Sequence, residues 1–180
     1  ELIPMAKAMD AFSAALMADK REIIFAPTVY KFQDFAQLAE EFKLNERDVV
    51  LTNEFIYKPF MEELGLKCQF VFQEKFGAGE PSEEMIQTMY DAIPYDSYDR
   101  VIAVGGGKAI DTGKAVAVRM DTPVIVIPTI ASNDAPCSGL SVCYNDQGVV
   151  CKVIYGKRNP DVVIVDTEII ASSPVRLFVS

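Results

Sequence analysis

The sequence predicts an α/β domain: a doubly wound, mostly parallel sheet carrying a β-hairpin insertion. Three observations predict it. Short β-branched runs alternate with helix-period stretches in the order βαβαβαβαβ. The connections between them are of ordinary length for such units. One of the strand-like runs, VIAV from Val101, opens directly into three glycines and then a helix-period stretch. With 180 residues, 50% of them hydrophobic, the chain is long enough for one domain with a sizeable core and short for two.

Residues 1–21 come before this rhythm. Leu2, Met5, Ala8, Met9, Phe12 and Leu16 recur at helical spacing, which predicts an extra amphipathic helix, interrupted early by Pro4. The α/β domain is expected over residues 22–180, beginning with a strand at residues 22–26. Phe32, Phe35, Ala39 and Phe42 then share one helix face, and a strand follows at Asp48–Thr52. Residues 54–64 place Ile56, Phe60 and Leu64 on one face, with Gly65 where a left-handed C-terminal residue belongs. Residues 67–72 are the next strand, and the loop 73–81 is glycine-rich. Ser82 sits as an N-cap with Glu83 and Glu84 in the first turn, where the helix dipole favours carboxylates; Met85, Ile86 and Met89 supply the apolar stripe.

A buried strand at residues 99–104 leads into Gly105-Gly106-Gly107, a helix running to about Arg119, and a strand at residues 123–127. Residues 139–155 break the alternation. Two extended runs there flank Asn145-Asp146-Gln147-Gly148, a hairpin turn signal. A last strand at residues 161–165 rejoins the sheet, and residues 173–176 begin a helix. No internal repeat or low-complexity segment interrupts the pattern.

The composition excludes several functions. A net charge of -9, with acidic residues scattered evenly, does not suit a nucleic acid or an anionic membrane, since both demand clustered Lys and Arg. Cys68, Cys137, Cys143 and Cys151 form no CxxC pair, so neither a zinc knuckle nor a disulfide framework is expected; a reducing cytoplasm is the simpler home. No apolar run reaches the ~18 residues that span a bilayer. The first residue is Glu1 rather than Met, which suggests a piece of a longer chain. The sequence also contains no histidine, the commonest ligand of catalytic zinc and iron and the commonest general base near neutral pH.

The chemistry lies in VIAVGGGKAID, from Val101 to Asp111. A strand that runs through glycines into a helix suits a phosphate. The backbone can approach closely, and the unpaired N–H groups and positive helix end face the anion. A triple glycine can also do no more than make a tight strand-to-helix turn. The generic fingerprints fail: GxGxxG from Gly105 would need glycine at Ile110, and a P-loop would need Ser or Thr at Ala109. Lys108 and Lys114 could neutralise phosphate, but a helical lysine is more often simply solvated, so only the Lys108 backbone is counted as a contact.

VIAVGGGKAIDTGKAVA, VIVIPTIASNDAPCSGLSVCYNDQG and GKRNPDVVIVDTEIIASSPVRLFVS together resemble the glycerol dehydrogenases over residues 100–180. APTVYKF, VVLTNEFIYKPF and VFQEKFGAGEPSEEM, before them, are more similar to the 4-hydroxybutyrate dehydrogenases. Both groups belong to the iron-containing, metal-dependent alcohol dehydrogenase superfamily. The resemblance implies a Rossmann-like, dehydroquinate synthase-like N-terminal domain that binds NAD. Gly105, Gly106, Gly107, Lys108, Ala109, Ile110 and Asp111 would lie against the pyrophosphate. Thr129, Ser132, Ser138, Leu140 and Tyr144 would line the nicotinamide and ribose.

Asn53 stands where the glycerol dehydrogenases carry an aspartate for the adenosine ribose. It can still hydrogen-bond a hydroxyl but brings no charge against a 2′-phosphate. Asp134, in SNDAP, matches a substrate-contacting aspartate; by itself it also fits an Asx turn before Pro136. Cys137 is expected to pack near the pocket or line it rather than act as a nucleophile, and Asp111 to cap or orient.

The implied reaction is reversible hydride transfer between a small alcohol or polyol and the nicotinamide, with a divalent metal, zinc or iron, polarising the alcohol oxygen. The family's metal ligands lie in a helical second domain beyond the residues matching Ser180, so no metal site is expected in this chain and the 180 residues alone are expected to be inactive. The apolar face against which that second domain would pack is expected to invite self-association, so a homo-oligomer is expected as well. The alternative activities are 4-hydroxybutyrate oxidation or a non-catalytic dinucleotide-binding module.

Overall fold

The computed structural model describes residues 28–32, 34–77 and 80–177. The expected helix over residues 1–21 and the expected strand at 22–26 lie outside them. Six strands form one parallel sheet: β1 (Thr28–Phe32), β2 (Asp48–Thr52), β3 (Gln69–Phe72), β4 (Arg100–Gly105), β5 (Val124–Pro128) and β8 (Val162–Asp166), in the order β1-β8-β5-β4-β2-β3. The two remaining strands, β6 (Leu140–Tyr144) and β7 (Val150–Tyr155), pair antiparallel as the separate hairpin. Its turn closes at Gly148, where φ is 72°. The helices are α1 (Phe35–Glu41), α2 (Glu54–Phe60), α3 (Glu83–Ala92), α4 (Gly107–Met120) and α5 (Thr167–Ala171).

The central strands are near-continuous apolar runs because both faces of the sheet are covered. Val50, Ile102, Val104, Ile125, Ile127 and Ile164 point to one face, against Phe35 and Leu38 of α1, Ile56 of α2 and Ile169 of α5. Their neighbours Val49, Leu51 and Val101 point to the other, against Ile86 and Met89 of α3 and Ala115 and Val116 of α4. Consequently α2 and α4, which follow the adjacent strands β2 and β4, depart to opposite faces, and a crevice opens between the carboxyl ends of those two strands.

Helix α4 lies unusually close to the sheet. A Cβ built on Gly113 would stand 2.4 Å from the Ala103 Cβ of β4, so only glycine permits this approach. At the sheet's opposite end, Arg100 grips the fully buried Asp48 with two bonds of 2.7 and 2.8 Å and donates to the Phe42 carbonyl at 3.2 Å, fastening β4 to β2.

Several elements differ from the sequence expectation. Phe32, expected on a helix face, belongs to β1. Asp34 caps α1 by accepting from the Gln37 N–H at 2.9 Å, which fixes the helix start after it, while the Phe32 ring packs against Tyr30 and Phe42. The helix expected through residue 64 ends at Phe60. Pro59 removes one ladder N–H and Met61 leaves helical dihedrals, so a 3₁₀ turn, Glu62–Leu64, carries the chain to left-handed Gly65. The last helix starts earlier than expected because Asp166 caps α5, accepting from the Glu168 and Ile169 N–H groups at 2.9 and 3.1 Å. Residues 173–176 lead only into a 3₁₀ turn at Val175–Leu177.

Candidate active site

A cleft of about 600 Å³ occupies the crevice at the carboxyl ends of the strands. The N-cap and first turn of α2 supply Asn53, Phe55 and Ile56; the turn after β3 supplies Gln73 and Glu74; the N-cap and first turn of α4 supply Gly106, Gly107, Lys108 and Ala109; and the segment after β5 supplies Thr129, Ile130, Ser132 and Asn133. The location is where open α/β sheets place ligands. A smaller cavity of about 330 Å³, lined among others by Val118, Thr122, Val124, Gly139, Gly156 and Asp161, opens at the amino ends of β5 and β8 and contains no part of the glycine turn.

The glycines act through what their missing side chains make room for. A Cβ on Gly105 would stand 2.6 Å from the Ala109 Cβ, and one on Gly107 would stand 2.4 Å from the Asn133 amide nitrogen. The turn is thus folded tightly back on the helix it begins and on the loop after β5. Gly106 is the N-cap of α4, and it has no side chain to satisfy the first-turn N–H groups. The same turn carries no acidic residue. In α1, α3 and α5 a cap side chain does that work, from Asp34, Ser82 and Asp166. The amino end of a 14-residue helix therefore faces the cleft with its donors and its partial positive charge available to an anion.

Of the residues singled out in the sequence, Asn53, Gly106, Gly107, Lys108, Ala109, Thr129 and Ser132 come together in the cleft, with Gly105 directly behind Asn53 and Ala109. Ile110 is buried in the core with Ala103, Val126 and Val163, so its side chain is not available to a ligand. Asp134 is exposed on the loop after β5, where its carbonyl accepts from the Cys137 and Ser138 N–H groups; it does not line the cleft. Cys137, also exposed, is not a lining residue either. Tyr144 lies at the hairpin turn, its N–H bonded to the Pro81 carbonyl at 2.7 Å.

Ser138 and Leu140 are occupied elsewhere, and the reason corrects the expectation of a solvated Lys114. That lysine is 4% exposed. Its Nζ donates to the carbonyls of Ala135 (2.8 Å), Ser138 (3.2 Å) and Leu140 (2.5 Å) and to the Ser138 hydroxyl (3.1 Å), and it pairs with Asp111 at 2.9 Å. Burial pushes the Lys114 ammonium below its ordinary value, and Asp111 opposes that push. Asp111 also accepts from the Val142 N–H at 3.3 Å. Together the two side chains tie α4 to the loop that brings Thr129 and Ser132 to the cleft. Lys108 extends outward to Glu80 at 2.6 Å.

The cleft residues that sequence reasoning missed are Phe55, Ile56, Gln73, Glu74, Gly77, Ile130 and Asn133. Gln73 is buried and donates to the Thr112 hydroxyl at 3.2 Å. Asn133 holds its own loop by accepting from the Ala135 N–H at 3.1 Å. Gln73 and Glu74 begin the turn at the carboxyl end of β3, so the rule that ligands sit at strand ends would have found them.

The iron-containing alcohol dehydrogenase family model matches residues 22–167. A glycerol dehydrogenase from Thermotoga maritima is 42% identical over 142 residues, covering 77% of this chain and 38% of the relative. A 4-hydroxybutyrate dehydrogenase from Clostridium kluyveri is 32% identical over 176 residues, covering 86% of this chain and 46% of the relative. Among solved structures, a probable glycerol dehydrogenase from Sinorhizobium meliloti superposes with a TM-score of 0.74 at 31% identity, covering 87% of this chain and 44% of that one. The chain thus spans less than half the length of these relatives. By its family match, its parallel sheet and its glycine turn, the chain belongs to the iron-containing alcohol dehydrogenase family.

Proposed function

We propose that the cleft binds NAD and that these 180 residues are the nucleotide-binding part of an NAD-dependent dehydrogenase of small alcohols or polyols. The observation that carries this reading is the uncapped, acid-free amino end of α4 at the base of a cleft of about 600 Å³ between β2 and β4. In this reading the N–H groups of Gly107, Lys108 and Ala109 take the pyrophosphate, as helix amino ends commonly do. Thr129 and Ser132 face the remainder of the dinucleotide with hydroxyls. The bound NAD would supply the hydride acceptor. Asp134, Ser138, Leu140 and Tyr144 would contribute only if the loop after β5 and the β6–β7 hairpin rearranged on binding.

The residues in hand do not fit a catalytic metal. No group of three or more Cys, Asp or Glu is placed to hold one among the described residues, and the chain has no histidine. We infer that zinc or iron, where the whole enzyme uses it, is held by other residues, and that the 180-residue chain binds NAD without oxidising alcohols. The glycerol dehydrogenase from Thermotoga maritima favours a glycerol-like substrate; the longer match to the Clostridium kluyveri relative keeps 4-hydroxybutyrate as the second reading. Four free thiols suit a reducing cytoplasm. Val149, Val150 and Tyr155, exposed on the hairpin, are apolar surface through which we expect copies to associate.

Calorimetric titration with NAD tests the site. We expect saturable binding to the native chain and a loss of at least tenfold in Gly107→Val, whose side chain would collide with Asn133 in the wall of the cleft. Equal affinity in the variant, or turnover of glycerol by this chain alone, would contradict the reading.

A further inference from the structure

We infer that Glu74 is the residue that selects NAD over NADP, doing from β3 what Asn53 cannot do from β2; this rests on the cleft being the dinucleotide site. In open α/β sheets the adenosine ribose meets a carboxylate at the end of the strand beside the one that carries the glycine turn. Here that strand is β2, paired to β4, and its last position is followed by Asn53, which is uncharged. The missing charge comes from one strand further out. Glu74, in the turn after β3, lines the same cleft, and its Oε2 accepts from the Asn53 amide at 2.8 Å. Its Oε1 accepts from the Glu54 N–H at 2.6 Å.

These contacts fix both partners. The Asn53 amide spends a donor on Glu74, while its Oδ1 lies toward the glycine turn, 3.9 Å from where a Gly105 Cβ would stand. Partial burial works to raise the Glu74 carboxyl, but the Glu54 N–H, its own backbone N–H, the Asn53 amide and Lys75 outweigh it, so the group sits below its ordinary value and stays ionised. The cations nearby, Lys58 and Lys75, both turn to Glu54, at 3.3 and 3.7 Å. A carboxylate has about four acceptor positions, and three on Glu74 are met, by the Glu54 N–H, its own N–H and the Asn53 amide. The remainder suits a ribose hydroxyl, which donates, and opposes a 2′-phosphate, which brings like charge.

The test is calorimetric titration of the chain with NAD and with NADP, in the native protein and in Glu74→Gln. Glutamine keeps the size and an acceptor for the Glu54 N–H but removes the charge, and the position is exposed, so the fold is retained. We expect the native chain to favour NAD by at least tenfold, and Glu74→Gln to bring the two affinities within about threefold, mainly by strengthening NADP. A preference unchanged in Glu74→Gln, or a native chain that favours NADP, would overturn the assignment of Glu74 while leaving the dinucleotide site standing. Failure of the native chain to bind either dinucleotide would overturn both.

Discussion

Replacing Lys114 with methionine tests how the cleft is held in shape. Methionine keeps most of the stem packing in α4 but removes the ammonium that three carbonyls, one hydroxyl and Asp111 share. The Lys114 side chain is 5% exposed and that of Asp111 is 15% exposed, so water cannot readily replace the lost partner. Removing one member of a buried pair costs about 3–5 kcal/mol, because the other is left uncompensated. At about 2–4 °C per kcal/mol for a chain of this size, thermal unfolding followed by circular dichroism should fall by roughly 6–20 °C. Adding Asp111→Leu should restore part of the loss, since the stranded carboxylate is then gone. The same variant should weaken NAD binding, because the loop carrying Thr129 and Ser132 loses its anchor. A loss below about 1 kcal/mol, the level of a surface pair, would refute the argument.

Two further predictions concern the sheet. Gly113→Val forces a side chain into the Ala103 contact and should lower the unfolding free energy by about 1–3 kcal/mol, read as a lower urea midpoint at an unchanged slope; an unaffected midpoint would mean that α4 is free to move away. Burial pushes the Cys68 thiol up to about 11 from its ordinary 9.0. Because the folded value is the higher, the unfolded chain loses its proton first, and stability should fall by on the order of 2 kcal/mol as pH rises from about 9 to 11. Cys68→Val should flatten that part of the stability-pH curve, and an identical slope in both proteins would contradict it.

The sheet was legible in the sequence because central parallel strands leave a continuous apolar signature. Val49, Val50 and Leu51 are fully buried as the pattern required, and Ser82 caps α3 by accepting from the Met85 N–H at 3.1 Å. Boundaries set by single side chains were harder to see. The competition between strand and helix at Phe32 is decided by the Asp34 cap, and the end of α2 by Pro59 and Met61. The glycine turn could be located because its chemistry is local to consecutive residues. Contacts between distant segments left no comparable trace: nothing around Lys114 announces that residues 135–140 will surround it, and Glu74 gains its meaning only from the pairing of β2 with β3. Position 113 would have been within reach, since a glycine facing the sheet from inside a helix signals close packing.

The most direct measurement of the central claim is the amide spectrum of the ¹⁵N-labelled chain titrated with NAD. Binding at the amino end of α4 should shift the resonances of Gly106, Gly107, Lys108 and Ala109 most strongly, together with Asn53 and Thr129. Shifts confined to Gly139, Gly156 and the other residues of the smaller cavity, with the glycine turn unmoved, would contradict the account.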